Sequence, residues 1–124
     1  MNLLKSAGCL VVIATLIGAT DASAQQTGNG TGAVLRALDK TSGYTKDLEI
    51  RSGQMGAIGP LQIVVAECRY PAGNPAGDAY AALEVSETGR SGTVFTGWMI
   101  ASAPALNAME HPRYDIWVMR CITS

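Results

Sequence analysis

A chain of 124 residues has room for one domain, since domains usually run to about 100–150 residues. Its nine basic and ten acidic residues are scattered along it, the net charge is −1, and no basic stripe or acidic tail stands out. That composition excludes a partner held by bulk electrostatics, nucleic acid first among them.

At the N-terminus, Met1–Ala7 carries one basic residue, Lys5, and Cys9–Ala19 is an almost unbroken apolar run of about eleven residues. That is the length of a signal h-region and well short of the ~20 residues a membrane-spanning helix needs. Ala22-Ser23-Ala24 supplies the small residues that signal peptidase accepts. The expectation is a cleavable export signal over Met1–Ala24, a mature start at Gln25, a periplasmic location and no transmembrane segment in the mature chain. Ser6-Ala7-Gly8-Cys9 imitates the end of a lipoprotein signal, but such a cysteine follows the apolar run and Cys9 precedes it. Cleavage leaves Cys68 and Cys121, which an oxidising compartment is expected to pair.

Gln25–Gly32 is polar and Gly-rich and reads as a flexible lead-in. Its alternating glycines imitate a phosphate-binding loop without the strand that should precede one. From Ala33 to the end the apolar period is mostly two, the signature of half-buried strands. Val34–Leu38 and Lys46–Arg51 form the first pair, a hairpin around the polar turn Asp39–Gly43, with Leu48 and Ile50 inward. Ser52–Pro60 holds three glycines and a proline and reads as an irregular crossing. Leu61–Cys68 is apolar on both faces near its middle and is expected to be a central strand.

Arg69–Gly77, with two prolines and two glycines, is expected to be the longest exposed loop. Ala79, Ala81, Leu83 and Val85 alternate with Tyr80, Ala82, Glu84 and Ser86, and Thr93–Ile100 follows as an antiparallel neighbour. Ser102 is placed to cap a short helical turn over Pro104–Met109, with Leu106 and Met109 on one face. Tyr114–Ile122, apolar on both faces, is expected to be a second central strand. The fold these elements predict is all-β: a small antiparallel β-sandwich or partly open barrel of about six strands with one short helical turn, stapled by one disulfide. As domains, residues 1–24 are the signal, 25–32 the lead-in and 33–124 the single β domain.

The run Phe95–Val118, with Gly97-Trp98-Met99, Ser102-Ala103-Pro104-Ala105-Leu106 and Glu110-His111-Pro112-Arg113-Tyr114-Asp115-Ile116-Trp117, resembles a family of small exported proteobacterial proteins, domain of unknown function family 2155. Ala37-Leu38-Asp39-Lys40, Gly59–Ile63, Cys68 and Cys121 extend the likeness over most of the mature domain. The resemblance implies an envelope location and a single domain, and brings no activity, cofactor or catalytic residue with it. The small residues of Arg69–Asp78 depart from the family pattern.

Glu110–Asp115 is the densest polar cluster and holds the chain's only histidine. As an acid–base site, His111 would carry the proton with Glu110 or Asp115 orienting it; as a connector, the same residues would accept hydrogen bonds around a turn set by Pro112. No GxSxG nucleophile motif accompanies them. One histidine and two paired cysteines cannot build a tetrahedral zinc site, so neither metal nor cofactor is expected. Trp98 and Trp117 are the candidate binding aromatics, against the alternative that each is core packing. The function these features favour is a non-catalytic periplasmic domain that binds a protein or another component of the cell envelope. The alternative is a small hydrolase or transferase using Glu110, His111 and Asp115.

Overall fold

The computed structural model describes residues 26–124; the expected signal over Met1–Ala24 and the expected mature start at Gln25 lie outside the described residues. Eight strands follow in order: β1 (Thr27–Asn29), β2 (Gly32–Asp39), β3 (Thr45–Arg51), β4 (Met55–Ile58), β5 (Leu61–Pro71), β6 (Tyr80–Glu87), β7 (Thr93–Ile100) and β8 (Tyr114–Ile122). They make two antiparallel sheets, one ordered β1-β5-β6-β7 with β4 also on β5, the other β3-β2-β8. The sheets face each other as an open sandwich, not a closed barrel. Among the described residues no helix is long and apolar enough to cross a membrane.

The period-two pattern decides which face of each strand is inside. Leu48 and Ile50 of β3, Leu61, Ile63 and Val65 of β5, Ala81, Leu83 and Val85 of β6, and Tyr114, Ile116 and Val118 of β8 all point into one core. Burying each large aliphatic side chain contributes about 1.5–3 kcal/mol, so a one-residue slip of any of these strands would forfeit several such contributions at once. The β2–β3 hairpin, the antiparallel β6–β7 pair and the interior position of β5 in its sheet are as the alternation predicts.

Four local expectations are corrected. Tyr114–Ile122 is not central: β8 is an edge strand, paired with β2 alone, and its second apolar face lies partly against solvent. Pro104–Met109 forms successive turns closed by Ala103 N–H to Ile100 O and Leu106 N–H to Ala103 O, with no helix; Leu106 is 75% exposed while Met109 enters the core. Ser102 caps nothing helical but donates its hydroxyl and its N–H to the Asp78 carboxylate. Arg69–Pro71 belongs to β5, so the longest connection among the described residues is 101–113, which runs from one end of the sandwich to the other beside β8.

The stretch read as a flexible lead-in contains β1 and opens β2. Its glycines serve close approach: a Cβ on Gly28 would meet the Tyr70 ring, one on Gly30 the Cys121 Cβ at 2.9 Å, and one on Gly32 the backbone of Ile50 and Arg51. Within the Ser52–Pro60 crossing, Met55–Ile58 likewise pairs with Leu61–Val64.

Two bulges place the cysteines. Ala66 is an extra residue between the Val65–Leu83 and Glu67–Ala82 pairs, and Met119 is an extra residue between the Val118–Leu35 and Arg120–Val34 pairs. Each lies two residues before a cysteine and reverses the alternation. Cys68 and Cys121 therefore turn inward, where they are joined with Cα atoms 5.7 Å apart, tying β5 of one sheet to β8 of the other.

Candidate functional site

The polar residues around His111 are organised by two short side-chain caps. Asp39, at the end of β2, accepts from the backbone N–H groups of Thr41 and Ser42 and is 8% exposed. His111 Nδ1 accepts from the N–H groups of Arg113 and Tyr114, at 3.0 and 3.1 Å, and so shapes the approach to β8. The two caps are joined. Arg113 sets its Nε and Nη2 on the two oxygens of Asp39, the Lys40 ammonium donates to the His111 carbonyl at 2.6 Å, and the Lys40 N–H donates to the Arg113 carbonyl.

These contacts set the electrostatics. The Arg113 hydrogen bond lowers the Asp39 carboxyl to about 2; burial opposes that shift, and the Thr41 and Ser42 N–H groups assist it. The same bond raises the Arg113 guanidinium. Nε2 of His111 lies 3.4 Å from Glu87 Oε2, and Arg90 approaches that same oxygen at 3.5 Å. With Nδ1 accepting two backbone bonds, the proton of a neutral ring belongs on Nε2, facing Glu87. Only 6% of the His111 side chain reaches solvent.

Tyr114 packs below the cluster, its ring 5.5 Å from His111 and 5.3 Å from the Arg113 guanidinium. Its hydroxyl occupies the space a Cβ on Gly59 would need, and Gly59 has φ +52°, a left-handed conformation that also favours glycine. Three segments far apart in sequence, Ala37–Lys40, Gly59–Ile63 and Glu110–Asp115, thus meet at one end of the sandwich.

The expected acid–base group is not assembled there. Glu110 is exposed, Asp115 stands on β8 opposite Leu38, and the side chain facing His111 is Glu87, which the sequence reading did not single out. Glu87 sits 24 residues from His111, and only the β5–β6 pairing brings it near. Among the described residues no group of three or more His, Cys, Asp or Glu side chains could hold a metal ion.

The tryptophans occupy the outer faces of different sheets. Trp98 of β7, opposite Ala82, is 41% exposed and carries the Arg69 guanidinium 5.8 Å from its ring centre. Trp117 of β8 stands opposite Arg36, which is itself tied to Asp47 of β3. Beside Trp117 runs a groove of about 380 Å³, walled by Pro104, Ala105 and Ala108 of the long connection and by Asp115, Ile116 and Trp117. Its lining is mostly apolar, and its size falls at the small end of ligand sites, which span ~300–1,000 Å³. Its six residues all come from the Phe95–Val118 run. A second hollow of about 370 Å³ is polar, bordered by Glu49, Arg51, Arg120 and the Thr123–Ser124 end. Neither includes His111, Glu110 or Trp98.

An uncharacterised protein of Rickettsia prowazekii (strain Madrid E) is 25% identical over 96 residues, an overlap of 75% of this chain and 62% of the relative. The chain thus matches less than two thirds of that relative's length. No solved structure matches. The model of a family described as uncharacterised proteins conserved in bacteria matches residues 33–121, spanning both sheets, the disulfide and the groove, and the chain belongs to that family, DUF2155.

Proposed function

We propose that the protein is exported to the periplasm, loses Met1–Ala24, and acts there as a non-catalytic domain that binds a protein or another component of the cell envelope. The observation that carries the binding reading is the apolar groove between the 101–113 connection and β8, all of whose lining residues fall in the run that bears the family likeness. Export is supported by the leader composition and by a fold whose two sheets are tied through a cystine, a bond that persists in oxidising compartments. The acid–base alternative draws less support. Both backbone bonds to His111 Nδ1 are occupied in shaping a turn, and neither Glu110 nor Asp115 is among the partners of its ring.

Two measurements test this. Intact mass of the native protein is expected to match a chain starting at Gln25 with both thiols oxidised; a retained leader or free thiols would remove the export reading. A photo-reactive residue introduced at Ala108 in growing cells is expected to give one reproducible adduct, which disappears when Ala105→Phe fills the groove. An adduct indifferent to that substitution, or none, would remove the binding reading.

A further inference from the structure

We propose that the free edge of β8 takes up an extended polypeptide segment by strand addition, seating an apolar side chain of that segment in the Trp117 groove and a basic one against Asp115. This rests on the binding reading above and names the chemistry of the partner.

The first observation is the identity of the lining. Asp115, Ile116 and Trp117 are consecutive in a strand, so their side chains alternate between faces, and the Ile116 side chain is 2% exposed. With the Ile116 side chain in the core, it is the Ile116 main chain that meets the groove, between the Asp115 and Trp117 side chains and opposite the 101–113 connection. The second observation is that this edge is bare. β8 pairs only with β2, and no backbone hydrogen bond from the 101–113 connection reaches residues 115–120 among the described residues. Pro104, Ala105 and Ala108 supply alkyl surface opposite, and Pro104 has no N–H to offer.

A row of unpaired alternating donors and acceptors beside an apolar slot is satisfied by another extended backbone. A lipid tail would fill the slot and leave the row unpaired; a sugar would not match its spacing. Charge then selects among polypeptides. Asp115 is half-buried at the groove, and its carboxylate has no hydrogen-bond or ion-pair partner among the described residues. The basic residues around it in the β2–β8 register are committed elsewhere, Arg36 to Asp47, Arg113 to Asp39 and Lys40 to the His111 carbonyl. A lysine or arginine on the incoming strand supplies the missing charge, whereas a second copy pairing β8 with β8 would bring another Asp115 into the same stretch.

The test uses the whole chain with Trp98→Phe, so that Trp117 is the one remaining tryptophan of the two. The probes are synthetic nine-residue peptides rich in Val and Thr, with a central Leu and a Lys two residues from it. One matched series carries Glu in place of the Lys, and another is N-methylated at alternate backbone nitrogens. Trp117 fluorescence is expected to saturate with the Lys peptides, to need at least tenfold more of the Glu peptides, and to stay flat with the N-methylated ones. Asp115→Asn should abolish the preference for Lys while leaving binding of the Leu-bearing backbone. Equal binding of N-methylated peptides, equal binding of Lys and Glu peptides, or no saturation with any peptide overturns the inference. So does sedimentation showing a dimer that closes the groove in place of the peptide. If the Ala108 adduct is still lost on filling the groove while no peptide binds, only strand addition fails; if the adduct is absent as well, the binding reading fails with it.

Discussion

His111 is an acceptor in this fold. Its Nδ1 takes the N–H groups of Arg113 and Tyr114 in the turn that leads into β8. His111→Ala leaves those donors to water or to nothing and should lower stability by about 1–2 kcal/mol. His111→Asn, whose side-chain oxygen can accept at a similar position, should recover most of the loss. Urea unfolding of both variants checks this, and an alanine variant as stable as the parent would remove the capping role. Asp39 makes the matching prediction in pH. Arg113 holds its carboxyl at about 2, below the unfolded value of about 3.9. Its contribution to stability is therefore complete above the unfolded value and is lost as pH falls from about 4 toward 2. Asp47, lowered by Arg36, acts in the same direction. Burial pushes Asp78 up, but the Ser102 hydroxyl and the N–H groups of Ala79 and Ser102 outweigh it and leave it lowered as well. Urea midpoints across pH 2–6 should fall at the acid end for the parent and fall less for Asp39→Asn.

At the level of elements, the alternation along β3, β5 and β6 was legible because each buries one face, and a period of two leaves a one-residue slip no way to keep that face covered. The bulges were not. Ala66 and Met119 have no composition that marks them as extra residues; they become extra only against Leu83–Ala82 and Leu35–Val34 across the sheet. Strict alternation from Leu61 assigns Cys68 to the face away from Leu61, Ile63 and Val65, and the bulge brings it back. Deleting Ala66 should therefore leave a regular strand that keeps Glu67 opposite Ala82 and Cys68 inward opposite Ala81, with the cystine still formed, measurable by thiol titration of the unreduced protein. Deleting Met119 should do the same for Cys121. Free thiols in a deletion variant would show that the bulge geometry itself, beyond the facing it restores, is needed to bring the two sulfurs together. The edge position of β8 was hidden for a related reason: by strict alternation Trp117, Met119 and Cys121 make its second face look buried, yet among the described residues no strand pairs beyond it.

For the whole molecule, the cystine is the covalent tie between the sheets. It spans 53 residues of sequence, and on the chain-entropy view it contributes about 4 kcal/mol. Replacing both cysteines with Ala should cost about that much in urea unfolding, a large part of the ~5–15 kcal/mol typical of a folded domain. A loss below about 1 kcal/mol would mean that strand pairing alone sets the stability. The groove belongs to this scale as well. Its walls lie close together in sequence, but they become a groove only because 101–113 runs beside an edge strand without bonding to residues 115–120.

Period alone determined the all-β class and the identity of most inward residues, and a run of specific residues pointed to the family, because burial of alternate side chains and a motif are properties of the chain itself. Only the tertiary structure decided that Glu87 faces His111, that Arg113 reaches Asp39, that β8 has a bare edge and that both cysteines turn inward. Each of these depends on which strands lie side by side and in what register, and that is set by the joint packing of segments far apart in the chain.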